Sequence, residues 1–345
     1  MEFLYEYGLF LAKAVTLVAA IGAIIAVIAV SASRQVHKKG ELEITDLSEE
    51  FEHTKQQITD HLLTKDELKE KEKAEKKKAK AAKKEKADEK NNDRKRLFVL
   101  DFKGSIDAKE VASLREEISA VLSVANENDE VLVRLETGGG MVHGYGLASS
   151  QLDRIRQANV PLTIAVDKVA ASGGYMMACL ADRLIAAPFA VLGSIGVVAQ
   201  IPNFHRLLKK NDIDVEMLTA GEYKRTLTMF GENTDKDREK FVEDLEDTHE
   251  LFKEFVAEHR PQVDIEEVAN GEVWFGRRAL DKALVDEICT SDEYLLNACS
   301  EADVYHISYV EKKSIPERFG ISISGAVDRV ILTWLDRIQK NRYFS

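Results

Sequence analysis

Polar and apolar positions divide this chain into zones of different period. Gly8–Val30 is an almost unbroken apolar run of 23 residues whose one charge, Lys13, lies near its start. At about 1.5 Å per residue it reaches roughly 34 Å, enough to cross a bilayer with some tilt, and Lys13 can snorkel to the interface. Residues 1–33 are therefore expected to be a membrane anchor with one transmembrane helix and lipid contact through residues 8–30. A cleaved signal peptide fits less well, because no basic segment precedes the run and the run is longer than usual. Residues 34–96 are polar and end in a Lys/Glu/Ala stretch, Lys65–Arg96, with 15 basic and 9 acidic side chains and neither aromatic nor β-branched residues. Such a stretch builds no core and is expected to be a charged linker.

From Leu97 onward short apolar runs alternate with amphipathic stretches. The pattern predicts strands at Leu97–Phe102, Val131–Leu135, Leu162–Val166, Arg183–Ala190, Val197–Ile201 and Asp214–Thr219. It predicts helices at Lys109–Val124, Tyr145–Ala158 and Thr234–His259, the last one long and charged. Gly271–Ile288 reads as a closing strand–helix–strand unit. This alternation means an α/β domain with mostly parallel pairing, placed at residues 97–300. Leu184–Ile201 is an uncharged run of 18 residues. Pro188, Gly193, Gly196 and Gln200 break it, so it is read as two core strands and a turn, not a second span. In the tail, residues 301–345, an apolar stripe over Ile321–Lys340 predicts an amphipathic helix.

Charge sharpens the division. The chain of 345 residues has a net charge of −12, but residues 1–96 hold 20 Lys/Arg against 18 Asp/Glu, leaving 28 against 42 for the rest. An acidic body argues against nucleic acid as a partner. The three cysteines, Cys179, Cys289 and Cys299, have no metal-ligand spacing and no even count; Cys179 is expected to be a buried packing residue. No cofactor and no metal are expected.

The candidate chemistry lies in the glycine-rich turns. Ser172, in Val169-Ala-Ala-Ser-Gly-Gly-Tyr175, falls where an apolar strand-like run gives way to an apolar helical run. A hydroxyl there meets the positive end of a helix dipole and its unpaired N–H groups. Thr137-Gly138-Gly139-Gly140 follows another strand-like run, so its N–H groups are candidates for holding an oxyanion. Lys224, in Gly221-Glu-Tyr-Lys-Arg225, offers a base. A serine hydroxyl needs such a base to be an effective nucleophile. His143 and Asp167 make a Ser–His–Asp arrangement conceivable as well.

The order Gly-Gly-Gly, Ser-Gly-Gly-Tyr, Gly-Ser-Ile-Gly-Val, Tyr-Lys, with Lys224 52 positions after Ser172, resembles the signal peptide peptidase A family of serine peptidases. Gly271–Glu287 (GEVWFGRRALDKALVDE) is similar to that family too, and the N-terminal layout is most similar to its SohB branch. The resemblance covers roughly 97–288. It implies a crotonase/ClpP-like fold of repeated β-β-α units. It implies Ser172 as nucleophile, Lys224 as general base, Gly173 and Gly139 as oxyanion donors, and Ser194 as the group that orients the lysine. It also implies assembly into a homo-oligomer, with serine and lysine drawn from one subunit or two. Glu136-Thr137 stands where the family often has Ser-Pro before the glycines, which leaves the strap's donor open.

The expected activity is that of a membrane-anchored serine endopeptidase of the cell inner membrane. Its expected substrates are short or unfolded apolar peptides such as signal-peptide remnants, with small or aliphatic side chains favoured. A crotonase-like acyl-thioester enzyme and a non-catalytic membrane scaffold are the alternatives. The side of the membrane is left open: Arg34, Lys38 and Lys39 point to a cytoplasmic body, whereas signal-peptide clearance belongs on the outer face.

Overall fold

The computed structural model describes residues 40–64, 66–67 and 94–310, together with Gly8, Lys13, Val15 and Thr16. The chain divides into two units, of which residues 42–309 are one. In chain order the described elements are β1 (Glu41–Asp46), α1 (Leu47–Leu62), β2 (Arg96–Lys103), α2 (Val111–Leu122), β3 (Glu130–Glu136), α3 (Val142–Gln157), β4 (Leu162–Val166) and β5 (Val169–Ala171). There follow α4 (Gly173–Ala178), β6 (Arg183–Ala186), β7 (Val191–Gly193), α5 (His205–Lys210), α6 (Asp235–His259), α7 (Ile265–Val268), β8 (Val273–Phe275), α8 (Gly276–Asp281), β9 (Glu287–Ile288), α9 (Ser291–Glu301) and β10 (Asp303–Val310).

Seven strands form one sheet in the order β1-β10-β2-β3-β4-β6-β9. From β10 to β9 every neighbouring pair is parallel. A parallel strand buried on both faces has no polar side to show, and β4, Leu-Thr-Ile-Ala-Val, is buried at every position. The helices cover the sheet through apolar stripes at helical spacing. Val111, Leu114, Ile118 and Val121 are the buried face of α2, and Tyr145, Ala148, Leu152 and Ile155 that of α3. Cys179 is buried in this core, and burial pushes its thiol up to about 12.

A second sheet of three strands, β5-β7-β8, carries the turns of interest. β5 pairs β7 in parallel, and β8 closes it antiparallel. The residues after β3 tie the two sheets together. Thr137 bridges Ala170, its N–H donating to Val169 O at 2.9 Å while its own carbonyl accepts from Ala171 N at 3.1 Å.

Three expectations are corrected. The domain is a mixed α/β unit whose large sheet is open, with β1 and β9 as its edges, and it does not repeat β-β-α throughout: α2 and α3 each follow a single strand. Val197–Ile201 and Asp214–Thr219 are not strands, and residues 213–219 are exposed. With no neighbouring strand to bond to, an alternating sequence alone makes no sheet. Finally, no helix among the described residues is long and apolar enough to cross a membrane. The longest, α6, has the length but carries charge throughout. The expected span Gly8–Val30 lies outside the described residues apart from Gly8, Lys13, Val15 and Thr16, as do most of Lys65–Arg96 and all of Ile321–Lys340. The membrane-anchored reading, its lipid partner and its single-pass inner-membrane placement are therefore withdrawn. The run Leu184–Ile201 holds most of β6 and all of β7, but the turn between them lies at residues 187–190, and Gly193–Gly196, expected as that turn, comes at the end of the second strand.

Candidate active site

Ser172 stands between β5 and α4, at the N-cap of the helix, with φ +54° and ψ −121°. Few residues other than glycine adopt such a conformation, and it is held only where the surroundings over-determine it. The surroundings here are main-chain bonds. Ser172 N–H donates to Gly193 O at 2.8 Å, while Ser172 O accepts from Tyr175 N at 2.8 Å and Met176 N at 3.0 Å. The side chain is half-buried. Behind it Tyr175 is fully buried and its hydroxyl donates to Leu284 O at 2.8 Å, which fixes α4 against the core.

Gly173 opens the helix, and a first-turn N–H has no acceptor within its own helix. A Cβ here would lie 2.5 Å from Tyr145 Cγ, so only glycine lets α4 approach α3 this closely. Gly139, with φ +83°, lies against the same turn: a Cβ on it would lie 2.7 Å from Gly173 N and 2.9 Å from Ser172 Cβ. The strap is therefore beside the serine, as expected from sequence. Its Gly139 N–H, however, donates to Thr137 Oγ1 at 3.1 Å. Thr137 also bonds Tyr145, whose hydroxyl donates to Ser105 O at 2.8 Å. The strap thus has a buried hydroxyl prop that the glycine motif did not reveal.

Ser194 follows β7 as Ser172 follows β5. It has φ +52°, is half-buried, and its N–H donates to Glu272 O at 2.6 Å. Gly193 before it, at φ +96°, carries the Trp274 ring where a side chain would be: a Cβ would lie 2.7 Å from Trp274 Cε3.

Two hollows meet at Ser172. One, of about 90 Å³, has apolar walls from Val142, Met176, Val197, Val198 and Phe252, with Tyr145 at its base. The other, of about 520 Å³, is open and is lined by Gly138, Gly139, Gly140, Ser172, Ser194, His249 and Asn270 among others. Helix α6 walls both, through Thr248, His249 and Phe252. Sequence reasoning passed over this helix as a charged one. The signal was the stripe Leu245, Thr248, Phe252 and Val256, spaced three or four residues apart along one face of a charge-rich helix.

Lys224 is not brought to Ser172 in a single chain. It is exposed and lines neither hollow. Its segment, after Ile201 and before α6, exposes Leu207, Ile213, Met217, Leu218 and Tyr223, with Leu218 at 94%. His143 is exposed, and Asp167 is engaged by Ser291 through N–H at 2.8 Å and hydroxyl, so neither serves a triad with Ser172.

Models of two peptidase segments match the chain: the peptidase family S49 N-terminal region over residues 2–152 and peptidase family S49 over residues 154–305. Its relatives include a probable protease SohB of Haemophilus influenzae, 52% identical over 326 residues covering 92% of each chain. A probable protease SohB of Buchnera aphidicola subsp. Acyrthosiphon pisum is 52% identical over 332 residues, covering 96% of this chain and 97% of that one. A third, from Buchnera aphidicola subsp. Schlechtendalia chinensis, is 54% identical over 304 residues, covering 86% of this chain and all of its own.

Proposed function

We propose that this chain, which belongs to peptidase family S49 and to its SohB branch, cuts peptide bonds with Ser172 as nucleophile and Lys224 as general base. Family membership makes it a serine peptidase. The observation that carries the choice of nucleophile is the strained Ser172 turn, with the first-turn N–H of Gly173 beside it and two hollows meeting at its hydroxyl.

In the proposed reaction Lys224 takes the Ser172 proton as Oγ attacks the substrate carbonyl. The oxyanion is received by Gly173 N–H and by the strap at Gly139. Gly173 is the better placed of the two, since Gly139 N–H is engaged with Thr137. One such donor typically contributes about 10²–10³ in rate. Ser194 orients the lysine amine. A lysine serves as base only where desolvation disfavours its charge, and exposed Lys224 has no such cover within one copy. A second copy supplies it in the proposed homo-oligomer, and the exposed apolar residues around Lys224 support an interface there.

Substrates are short or unfolded peptides. The apolar hollow of about 90 Å³ suits a small aliphatic side chain next to the scissile bond. Mass spectrometry after reaction with a peptidyl phosphonate tests the reading. Wild type is expected to carry the probe on Ser172, and Ser172→Ala and Lys224→Ala to remain unlabelled. Labelling that persists in Lys224→Ala would remove the lysine from the mechanism.

A further inference from the structure

The open hollow beside Ser172 contains a polar atom without a partner. His249 lines it together with Gly138–Gly140, Ser194, Asn270 and Gly271. Its Nε2 is shut away from solvent and makes no hydrogen bond among the described residues. A buried polar atom left unpaired destabilises the fold, so one that persists beside a reactive turn calls for a ligand as its explanation. The Asn270 side chain and the Ser194 main chain beside it are already engaged. The Asn270 amide nitrogen donates to Glu272 Oε2 at 3.2 Å and to Glu267 O at 3.4 Å, its oxygen accepts from Glu272 N at 2.9 Å, and Ser194 N–H donates to Glu272 O.

We infer that His249 is a substrate-binding residue that hydrogen-bonds the main chain of the peptide substrate in the open hollow, which adjoins the apolar one at Ser172. The inference rests on the peptidase reading above and adds to it the polar half of the cleft. The lining of that hollow is uncharged: five glycines, two serines, two valines, an asparagine and an imidazole. Such a lining suits the repeating amide of an extended peptide and offers no counter-charge to an acidic or basic side chain. The helix explains the placement. Phe252 and Val256 bury α6 against the core, and His249, three residues before Phe252, is held at the rim by the same face. One rigid helix thereby forms the apolar wall through Thr248 and Phe252 and the polar wall through His249.

The test is peptide binding in the full-length Ser172→Ala protein, where cleavage does not interfere. The probe is a fluorescein-labelled extended peptide with alanine or valine at the cleavage position. His249→Leu is expected to weaken binding about three- to tenfold, the size of one lost hydrogen bond. His249→Gln, whose amide extends toward the Nε2 position, is expected to recover most of it. Equal affinities in all three proteins, no recovery in His249→Gln, or no peptide binding to the His249 protein would each overturn the inference. Should His249→Leu fail to fold, His249→Asn takes its place against His249→Gln, and equal binding by these two overturns it as well. The same substitutions in the Ser172 protein are expected to raise KM more than they lower kcat. Failure of the peptidase reading shows separately, as a Ser172 protein that neither cleaves peptides nor takes the phosphonate.

Discussion

Ser172 and Ser194 leave adjacent parallel strands at the same register position, each with positive φ. Ala171 pairs with Gly193, Ser172 N–H donates to Gly193 O at 2.8 Å, and the next residues have φ of +54° and +52°. One strained turn supports the other, so the two hydroxyls enter the same hollow on a common main-chain frame. Ser194→Ala and Ser194→Gly are both expected to lower kcat about 10- to 100-fold with little change in KM, since the hydroxyl positions a catalytic group without holding the peptide. Glycine relieves the backbone and alanine does not, so equal losses in the two variants point to the hydroxyl. Steady-state kinetics on one fluorogenic peptide checks this.

The position of Lys224 yields a second prediction. Ser172→Ala and Lys224→Ala are each expected to be inactive alone. If the dyad forms between copies, co-expression of the two inactive chains restores activity, because some interfaces pair an intact serine with an intact lysine. Random mixing into a ring sets the recovered activity at about a quarter of wild type per chain. No recovery in mixed assemblies confirmed by native mass spectrometry would place serine and lysine within one copy.

The strap makes a third. Tyr145 and Thr137 hold the Gly138–Gly140 segment from below through the chain Gly139 N–H, Thr137 Oγ1, Tyr145 hydroxyl and Ser105 O. Tyr145→Phe removes the middle of that chain with little change of shape. It is expected to cost about 1–2 kcal/mol of stability for the unsatisfied groups and to lower kcat several-fold by loosening the strap. Denaturant unfolding and kinetics on the same preparation separate the two effects.

Much of the site was legible because its parts are punctuation between apolar runs. The run Leu162–Val166, the turn at Ser172 and the glycines after Val131–Leu135 announce themselves by period and by residue type, and the structure has β3, β4 and α4 where these runs predicted them. Two features were not legible. Asp214–Thr219 alternates like a strand, but pairing depends on a partner that sequence does not show. His249 was hidden because a helix 25 residues long and rich in Glu, Asp and Lys reads as a solvated surface. What marks its inner face is a stripe of four residues, too narrow to stand out before the neighbouring turns are placed.

The closing loop depends on a buried ion pair. Arg260 is 2% exposed, and its guanidinium donates to both Asp286 oxygens at 2.9 Å and to Ala283 O at 3.0 Å. Asp286 also accepts from Leu184 N at 2.7 Å, which ties β6 to the segment before β9. Burial pushes the Asp286 carboxyl up, but the Arg260 and Leu184 bonds outweigh it and hold it below the usual range. Asp286→Ala leaves a buried cation uncompensated and is expected to cost about 3–5 kcal/mol. Arg260→Met, which removes the charge and keeps the volume, is expected to be the milder change although it deletes the larger group. Comparing the two melting temperatures checks this.

Asp101 sets how the sheet responds to acid. Its carboxylate lies across three strands, accepting from Arg134 Nε at 2.5 Å and Arg134 Nη2 at 2.7 Å, with His306 Nε2 at 3.2 Å. Burial alone would raise its pKa, but the nearby His306 imidazole and the Arg134 hydrogen bonds prevail and hold it at about 2. An unfolded aspartate titrates near 3.9, so the folded state binds its proton less readily than the unfolded state. The stabilisation is therefore present in full above about pH 4 and is lost as the pH falls through about 2. The side chain is 35% exposed, so solvent screening reduces the contribution to about 1 kcal/mol. Urea unfolding of wild type is expected to weaken over that interval. Asp101→Asn, less stable at pH 7, is expected to lose less across it; parallel pH curves for the two proteins would show that the carboxylate is not the group responsible.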